Sequence, residues 1–161
     1  MQRVHRARVA AGGREAAIGP GLVVLAGLCR GDHEGLVAPA ARRLWGLRVF
    51  PDGAGRMARS LADTGGELLV IPNFTLCADT RRGRRPDFSA ALPPPAAEGL
   101  FDALVGALAG AGHGRVAAGW FGAHMALELV NDGPVTLVLQ LGDPAGEGEG
   151  GGRAGAGGST A

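Results

Sequence analysis

The chain has 161 residues and a mass of 16.2 kDa, which suits one domain with a real core and is too short for two. Hydrophobic residues make up 46% and charged residues 19%, which excludes disorder for most of the length; aromatics at 4%, with no Tyr, exclude a surface of many stacked rings. All 16 basic residues are Arg, and Gly and Ala are abundant, a coding bias before it is a functional signal; a net charge of +1 argues against coating nucleic acid non-specifically but leaves room for a local basic patch.

The longest apolar run, Leu22 to Cys29, is too short to cross a bilayer, and no apolar signal core follows Arg3, Arg6 and Arg8. Cys29 and Cys77 lie far apart without metal-ligand spacing, so the expectation is two buried free thiols in a reducing cytoplasm and no zinc site. The last twenty residues, 142–161, hold nine glycines and almost nothing apolar. They cannot offset chain entropy by burial, which predicts a disordered Gly-rich tail after a domain over 1–141. The tail carries Asp143, Glu147, Glu149 and Arg153, so the body is +3 against +1 for the whole chain.

In chain order, Val4 to Val9 reads as a strand, followed by a turn at Gly12 and Gly13 and a second apolar strand over Ala17 to Leu28, bent at Gly19-Pro20-Gly21. Leu36, Ala40, Leu44 and Leu47 recur at helical spacing, which predicts a helix over 34–48 with Pro39 tolerated near its start. Phe50-Pro51-Asp52-Gly53 is turn chemistry. Glu67 to Leu76 reads as a strand interrupted by Pro72, and 80–95 as an Arg- and Pro-rich loop. Leu100, Leu104 and Leu108 predict a second helix over 95–110. A short strand at Ala117 to Phe121, an alternating segment from His124 to Val130, and Val135 to Leu141 complete the body, with no internal repeat. Strands flanking two helices predict a mixed α/β domain, without the regular alternation or Gly-rich phosphate loops of a doubly wound nucleotide-binding fold.

Three segments carry chemistry. Ile71-Pro72-Asn73-Phe74-Thr75-Leu76-Cys77 ends an apolar strand at a residue that cannot donate to a ladder. A bulge there exposes backbone N–H groups beside the Thr75 hydroxyl, a set able to hold an ester carbonyl and its oxyanion; an ordinary polar turn is the simpler alternative for the segment alone. Asn131-Asp132-Gly133-Pro134-Val135-Thr136 reads from its spacing as a hairpin with a trans Gly-Pro bond. Between Asp79 and Phe88, Arg81, Arg82, Arg84 and Arg85 concentrate positive charge next to one ring, which suits a phosphate backbone and a stacked base or, equally, a solvated loop. His5, His33, His113 and His124 have no ligand spacing, no GxSxG is present, and Asp32 and Glu34 read as helix-terminal charges.

Together, in this order and spacing, the segments resemble the D-aminoacyl-tRNA deacylase family over most of residues 2–141. Gln2-Arg3-Val4 with Ala7 and Val9, Ile18-Gly19-Pro20-Gly21-Leu22, Leu47-Arg48-Val49-Phe50 and Gly65 through Val70 match family segments, as do Thr80 through Pro86 with Phe88, Phe121-Gly122-Ala123 with Met125, and Asn131 through Thr136. The resemblance implies a layered β/β/α domain with a barrel-like β core and two covering helices. It implies a cytoplasmic homodimer that hydrolyses the ester joining a D-amino acid to the 3′-terminal adenosine of tRNA, and that clears mischarged glycine, with no metal or other cofactor, no membrane and no DNA partner. By the same resemblance Gly133 and Pro134 form a cis bond that reaches the partner subunit's site and excludes L side chains, with Arg3, Asn131 and Thr136 supporting it. Thr75 with Phe74 and Asn73 holds the ester, helped by the terminal ribose 2′-OH. Arg81, Arg82, Arg84, Arg85, Phe88 and Met125 take the tRNA end.

The chain departs from the family at two positions of the strand motif, usually Ser-Gln-Phe-Thr-Leu. Pro72 removes a hydroxyl and a backbone donor, and Asn73 is one methylene shorter than Gln. The alternative function is therefore a tRNA acceptor-end binding protein with weak or no catalysis. The chain also begins a few residues later than typical members, which predicts a shortened or frayed first strand.

Overall fold

The computed structural model describes residues 1–142; the expected tail lies, beyond Gly142, outside the described residues. Strand β1 (Gln2–Ala11) organises the sheet. Its second half pairs antiparallel with β2 (Arg14–Ile18), and its first three residues pair with β3 (Gly21–Ala26). The expected single apolar strand over 17–28 is thus two strands separated by the Gly19-Pro20 bend. On its other edge β1 pairs with β8 (Ala126–Thr136). The first strand is not frayed: Gln2 faces Val23 on one side and Thr136 on the other, and Leu137 N donates to Met1 O at 3.0 Å.

Strand β6 (Glu67–Pro72) runs parallel to β3 from Gly21↔Glu67 to Ala26↔Pro72, and β7 (Val116–Ala118) runs parallel to β6. The sheet order is therefore β2-β1-β3-β6-β7 with β8 on β1. The two ends of this path curl towards each other. Arg115, just before β7, donates to Ala17 O in β2 at 2.8 Å, and Gly19 N donates to Glu67 Oε2 at 2.7 Å. The result is the barrel-like sheet of a mixed α/β domain.

Period-two alternation buries both faces. Leu22, Val24, Leu68 and Val70 face the helices, while Val23, Leu69 and Ile71 face Val4, Ala7, Val9 and Ile18 inside the curled sheet. Helix α1 (Val37–Gly46), entered through a single 3-10 turn at Glu34–Leu36, buries Ala40, Ala41, Leu44 and Trp45 and leaves Arg42 and Arg43 in solvent. Strands β4 (Arg48–Pro51) and β5 (Met57–Ser60) form a separate hairpin, capped by the four-residue α2 (Leu61–Thr64). Helix α3 (Ala96–Gly110) buries Ala97, Leu100, Phe101, Leu104 and Leu108. Trp45 is fully enclosed between the two long helices, and its Nε1 donates to Leu108 O at 3.1 Å. Each of the buried Leu and Phe side chains contributes about 1.5–3 kcal/mol. The two covering helices are the expected pair, shortened to 37–46 and 96–110.

Candidate functional site

The parallel strands β3, β6 and β7 end on one edge of the sheet, where their following loops gather. Strand β6 stops at Pro72, four residues earlier than expected, because Pro72 has no N–H with which to extend the ladder. Asn73 N then donates to Ala26 O at 2.8 Å, and residues Phe74–Cys77 wind into a 3-10 turn. The Asn73 side chain folds onto this turn as its cap. Its Oδ1 accepts from Thr75 N at 3.3 Å and from the Thr75 hydroxyl.

That arrangement has a chemical consequence. The hydroxyl proton of Thr75 is spent on Asn73, which leaves the oxygen lone pairs as acceptors for a bound group. Among the described residues Phe74 N–H has no protein acceptor, since it opens the turn. Thr75, Phe74 and Leu76 are all exposed. A free amide donor and an oriented hydroxyl acceptor therefore stand side by side at the surface. The shorter Asn73 does not reach outward; it is consumed within the turn.

Phe88 meets Phe74 edge to face, with ring centroids 5.1 Å apart. Met125 lies on the other flank: its Sδ accepts from Trp120 N at 3.4 Å, and it packs with Ile71 at the end of β6. The arginine loop is closed at its base by reciprocal bonds between Asp79 and Asp87, with Asp79 N donating to Asp87 O at 2.7 Å and Asp87 N to Asp79 O at 2.9 Å. Arg81 doubles back onto Asp79, its Nη2 2.7 Å from Oδ2, and holds that carboxyl down at about 2. Arg82, Arg84 and Arg85 point into solvent.

Asn131 to Thr136 is not a hairpin. It is part of the single strand β8, which bulges where two steps along β1, from Gln2 to Val4, correspond to five along β8, from Thr136 to Asn131. The Gly133–Pro134 bond inside the bulge is cis, against the trans bond read from spacing alone. Arg3, buried in β1 opposite the bulge, holds its base: Nε lies 2.9 Å from Asp132 Oδ2, and Nη1 donates to Val49 O. Gly133 and Pro134 are exposed, and among the described residues no hydrogen bond joins them to the Asn73–Thr75 turn of the same chain. Asn131 and Thr136 mark the two ends of the bulge, paired with Val4 and Gln2.

The cysteines correct the sequence reading. Cys29 and Cys77 form a disulfide, with Cα atoms 5.8 Å apart. Their separation of 48 residues gave no hint, because the pairing depends on β3 and β6 ending together. Also unforeseen are His5, whose Nε2 is 3.8 Å from Asp132 Oδ1, and Gly27, which seats the turn from below. A cavity of about 290 Å³ lies elsewhere, on the helix face among Arg42, Trp45 and His113, and shares no residue with the turn. Among the described residues no three His, Cys, Asp or Glu side chains converge, and no helix is long and apolar enough to cross a membrane.

A barrel-like sheet covered by two helices on one side, with a capped Asn-Phe-Thr turn at the carboxyl ends of its parallel strands, makes this a mixed α/β protein whose candidate site lies at a strand end. The D-Tyr-tRNA(Tyr) deacylase family model matches residues 1–140, and the chain belongs to that family. A D-aminoacyl-tRNA deacylase of Thioalkalivibrio sulfidiphilus is 52% identical over 145 residues, covering 89% of this chain and 97% of the relative. One from Azotobacter vinelandii is 52% identical over 141 residues, covering 87% and 97%. Among solved structures, a c-Myc DNA unwinding element binding protein aligns with TM-score 0.79 at 36% identity, covering 86% of this chain and 95% of that one. A probable eukaryotic D-amino acid tRNA deacylase shares the fold, with TM-score 0.74 at 16% identity over 83% and 92% of the two chains.

Proposed function

We propose that this chain hydrolyses the ester of D-aminoacyl-tRNA, releasing the free D-amino acid and tRNA. The observation that carries the reading is the pairing of the unpartnered Phe74 N–H with the Asn73-oriented Thr75 hydroxyl, in a chain of the deacylase family. The amide suits the oxyanion that forms as water attacks the ester carbonyl, and the Thr75 oxygen suits a donor on the aminoacyl group. The ribose 2′-OH of the terminal adenosine assists the attacking water.

Gly133 and Pro134 serve a second copy of the chain: projecting from β8, they form the wall that excludes an L side chain from the partner's site. Their exposure and the exposed apolar Val130, Leu137 and Val138 nearby support a homodimer across this face. A site that rejects L side chains by steric exclusion also admits glycine, so glycyl-tRNA mischarged on a non-cognate tRNA is a second substrate. Arg82, Arg84 and Arg85 meet the tRNA backbone, and Phe88 and Met125 flank the terminal adenosine. The protein works in the cytoplasm as a domain over 1–141 followed by its Gly-rich tail.

The test is single-turnover hydrolysis of matched D- and L-tyrosyl-tRNA with EDTA present. Loss of the D-ester with the L-ester intact supports the reading. Loss of neither, with tRNA still bound, favours acceptor-end binding without turnover, and then Pro72→Ser with Asn73→Gln is expected to raise the rate. Duplex DNA serves as the competitor, since one structural relative is named for a DNA element.

A further inference from the structure

The disulfide has no part in the chemistry above, yet it ends the turn on which that chemistry depends. Cys77 is the last residue of the Phe74–Cys77 turn and its only buried side chain. The rest of the turn is weakly anchored: Phe74 is 59% and Leu76 55% exposed, and its closing bonds, Leu76 N to Asn73 O and Ala78 N to Thr75 O, are long at 3.3 and 3.2 Å. Cys29 sits half-buried just beyond β3.

The same stretch of chain fastens the opposite wall. Leu92 N donates to Leu28 O at 2.9 Å, Arg30 N to Ala90 O at 2.7 Å, and Arg30 Nε to Ser89 O at 2.7 Å. These bonds hold the segment that carries Phe88 against Phe74. Directly under the turn, a Cβ on Gly27 would lie 2.7 Å from Leu76 Cβ and 3.3 Å from Asn73 O, so the two segments already touch as closely as backbone allows. Residues 27–30 are therefore the common footing of both sides of the site. Their link to the Phe88 side is a set of hydrogen bonds; their link to the Thr75 side includes a covalent bond that a thiol can open.

We propose that the Cys29–Cys77 pair is a redox-sensitive positioning element of the Thr75 site: the disulfide holds the turn in its capped geometry, and reducing it slows ester hydrolysis without dismantling the fold. This rests on the reading of the turn as the hydrolytic site. The reductant is a dithiol. One of its thiolates attacks the more accessible Cys29 sulfur, and Cys77 leaves as a thiolate. The second thiol then displaces Cys29 and closes the reductant's own disulfide. Two electrons pass from the dithiol to the protein, and the dithiol's two protons end on Cys29 and Cys77. In a cytosolic setting such a bond responds to the thiol pool rather than serving as a permanent staple.

The experiment compares air-oxidised chain with chain reduced by dithiothreitol, counting thiols after denaturation. Oxidised protein with both thiols free overturns the proposal. On D-tyrosyl-tRNA, reduction is expected to lower kcat about tenfold, since an ångström of misplacement costs up to about a hundredfold. KM stays unchanged, and reoxidation restores the rate. The Cys29→Ala, Cys77→Ala double variant is expected to sit at the reduced rate and to ignore the reductant. Equal rates in both redox states, or a change in KM alone, overturn the proposal. Amide hydrogen exchange gives a readout independent of activity: reduction is expected to speed exchange at residues 75–78 while 68–71 in β6 stay protected, and unchanged exchange in the turn overturns the clamp. Inactivity of both forms on D-tyrosyl-tRNA sinks the proposed function, and the exchange result then decides the clamp by itself.

Discussion

Arg3 Nε stands 2.9 Å from Asp132 Oδ2, so a buried guanidinium at the start of the chain fixes the residue that precedes Gly133. All three nitrogens are engaged: Nη1 donates to Val49 O, Nε also reaches Asp132 O at 3.2 Å, and Nη2 donates to Asp132 Oδ1 at 3.3 Å. Lys has no such planar fork, so it cannot serve both the strand and the bulge. Arg3→Lys is expected to cost about 2–3 kcal/mol in urea unfolding, less than a fully buried pair because Asp132 is partly exposed. The D-over-L rate ratio is expected to fall as well. A variant that loses stability but keeps that ratio would separate Arg3 from selectivity.

Asn73 acts through Thr75. Asn73→Ala removes the acceptor that takes both the Thr75 amide and hydroxyl, and it is expected to cost about 1 kcal/mol or less in stability, in line with other lost caps. The larger effect is on rate: about tenfold in kcat with KM for tRNA little changed, because the hydroxyl is then free to point its proton at the substrate. Asn73→Asp, which keeps the acceptor oxygen, is expected to recover part of the loss. An unchanged kcat in the alanine variant would show that the hydroxyl orientation does not matter.

Much of this site was legible as residues and little of it as geometry. The continuous apolar runs at 22–24 and 68–71 marked both buried strands, and Leu100, Leu104 and Leu108 placed α3. The motif around Thr75 was visible because Pro72 interrupts an apolar run. What the sequence hid was non-local. Asn131 to Thr136 looked like a hairpin because Asp-Gly is good turn chemistry, but β1 supplies a partner along the whole length and turns the same residues into a bulge. Cys29 and Cys77 looked free because their meeting depends on β3 and β6 lying parallel and in register. The β4–β5 hairpin was missed except for its turn, since its strands are only four residues each. The Ser60–Asp63 capping box after it is a readable signal that was passed over.

Any side chain at position 133 is strained. Its φ is 125°, a region L residues rarely adopt, and a Cβ there would lie 2.9 Å from Val135 N and 3.0 Å from Val135 Cγ2. Gly133→Ala is expected to cost about 1–2 kcal/mol, from backbone strain in the bulge. It is also expected to disturb the proposed L-excluding role of the bulge, so D-tyrosyl-tRNA hydrolysis drops and L-tyrosyl-tRNA is cleaved detectably. Full activity with full L-rejection would remove the bulge from the selectivity mechanism.

The Asp79–Arg81 pair sets how the basic loop responds to acid and to salt. Hydrogen bonds from the Arg81 side chain, then from its backbone, hold the Asp79 carboxyl at about 2, below its usual 3.8. A lowered carboxylate pKa means that the pairing is fully present above 3.8 and is lost as pH falls through about 2. A carboxyl-carbon NMR titration is therefore expected to place the Asp79 midpoint near 2, and a midpoint at the ordinary value would mean the pair does not persist in solution. The same exposed pair engages the Arg81 guanidinium, while Arg82, Arg84 and Arg85 make no ion pair among the described residues. Asp79→Asn removes the negative partner, so tRNA affinity is expected to rise at low salt and the slope of log K against log salt to steepen by about 0.7–0.9, one extra phosphate contact. Arg84→Ala is expected to flatten that slope by a similar amount. If the Asp79→Asn slope stays the same, Arg81 makes no phosphate contact even when released.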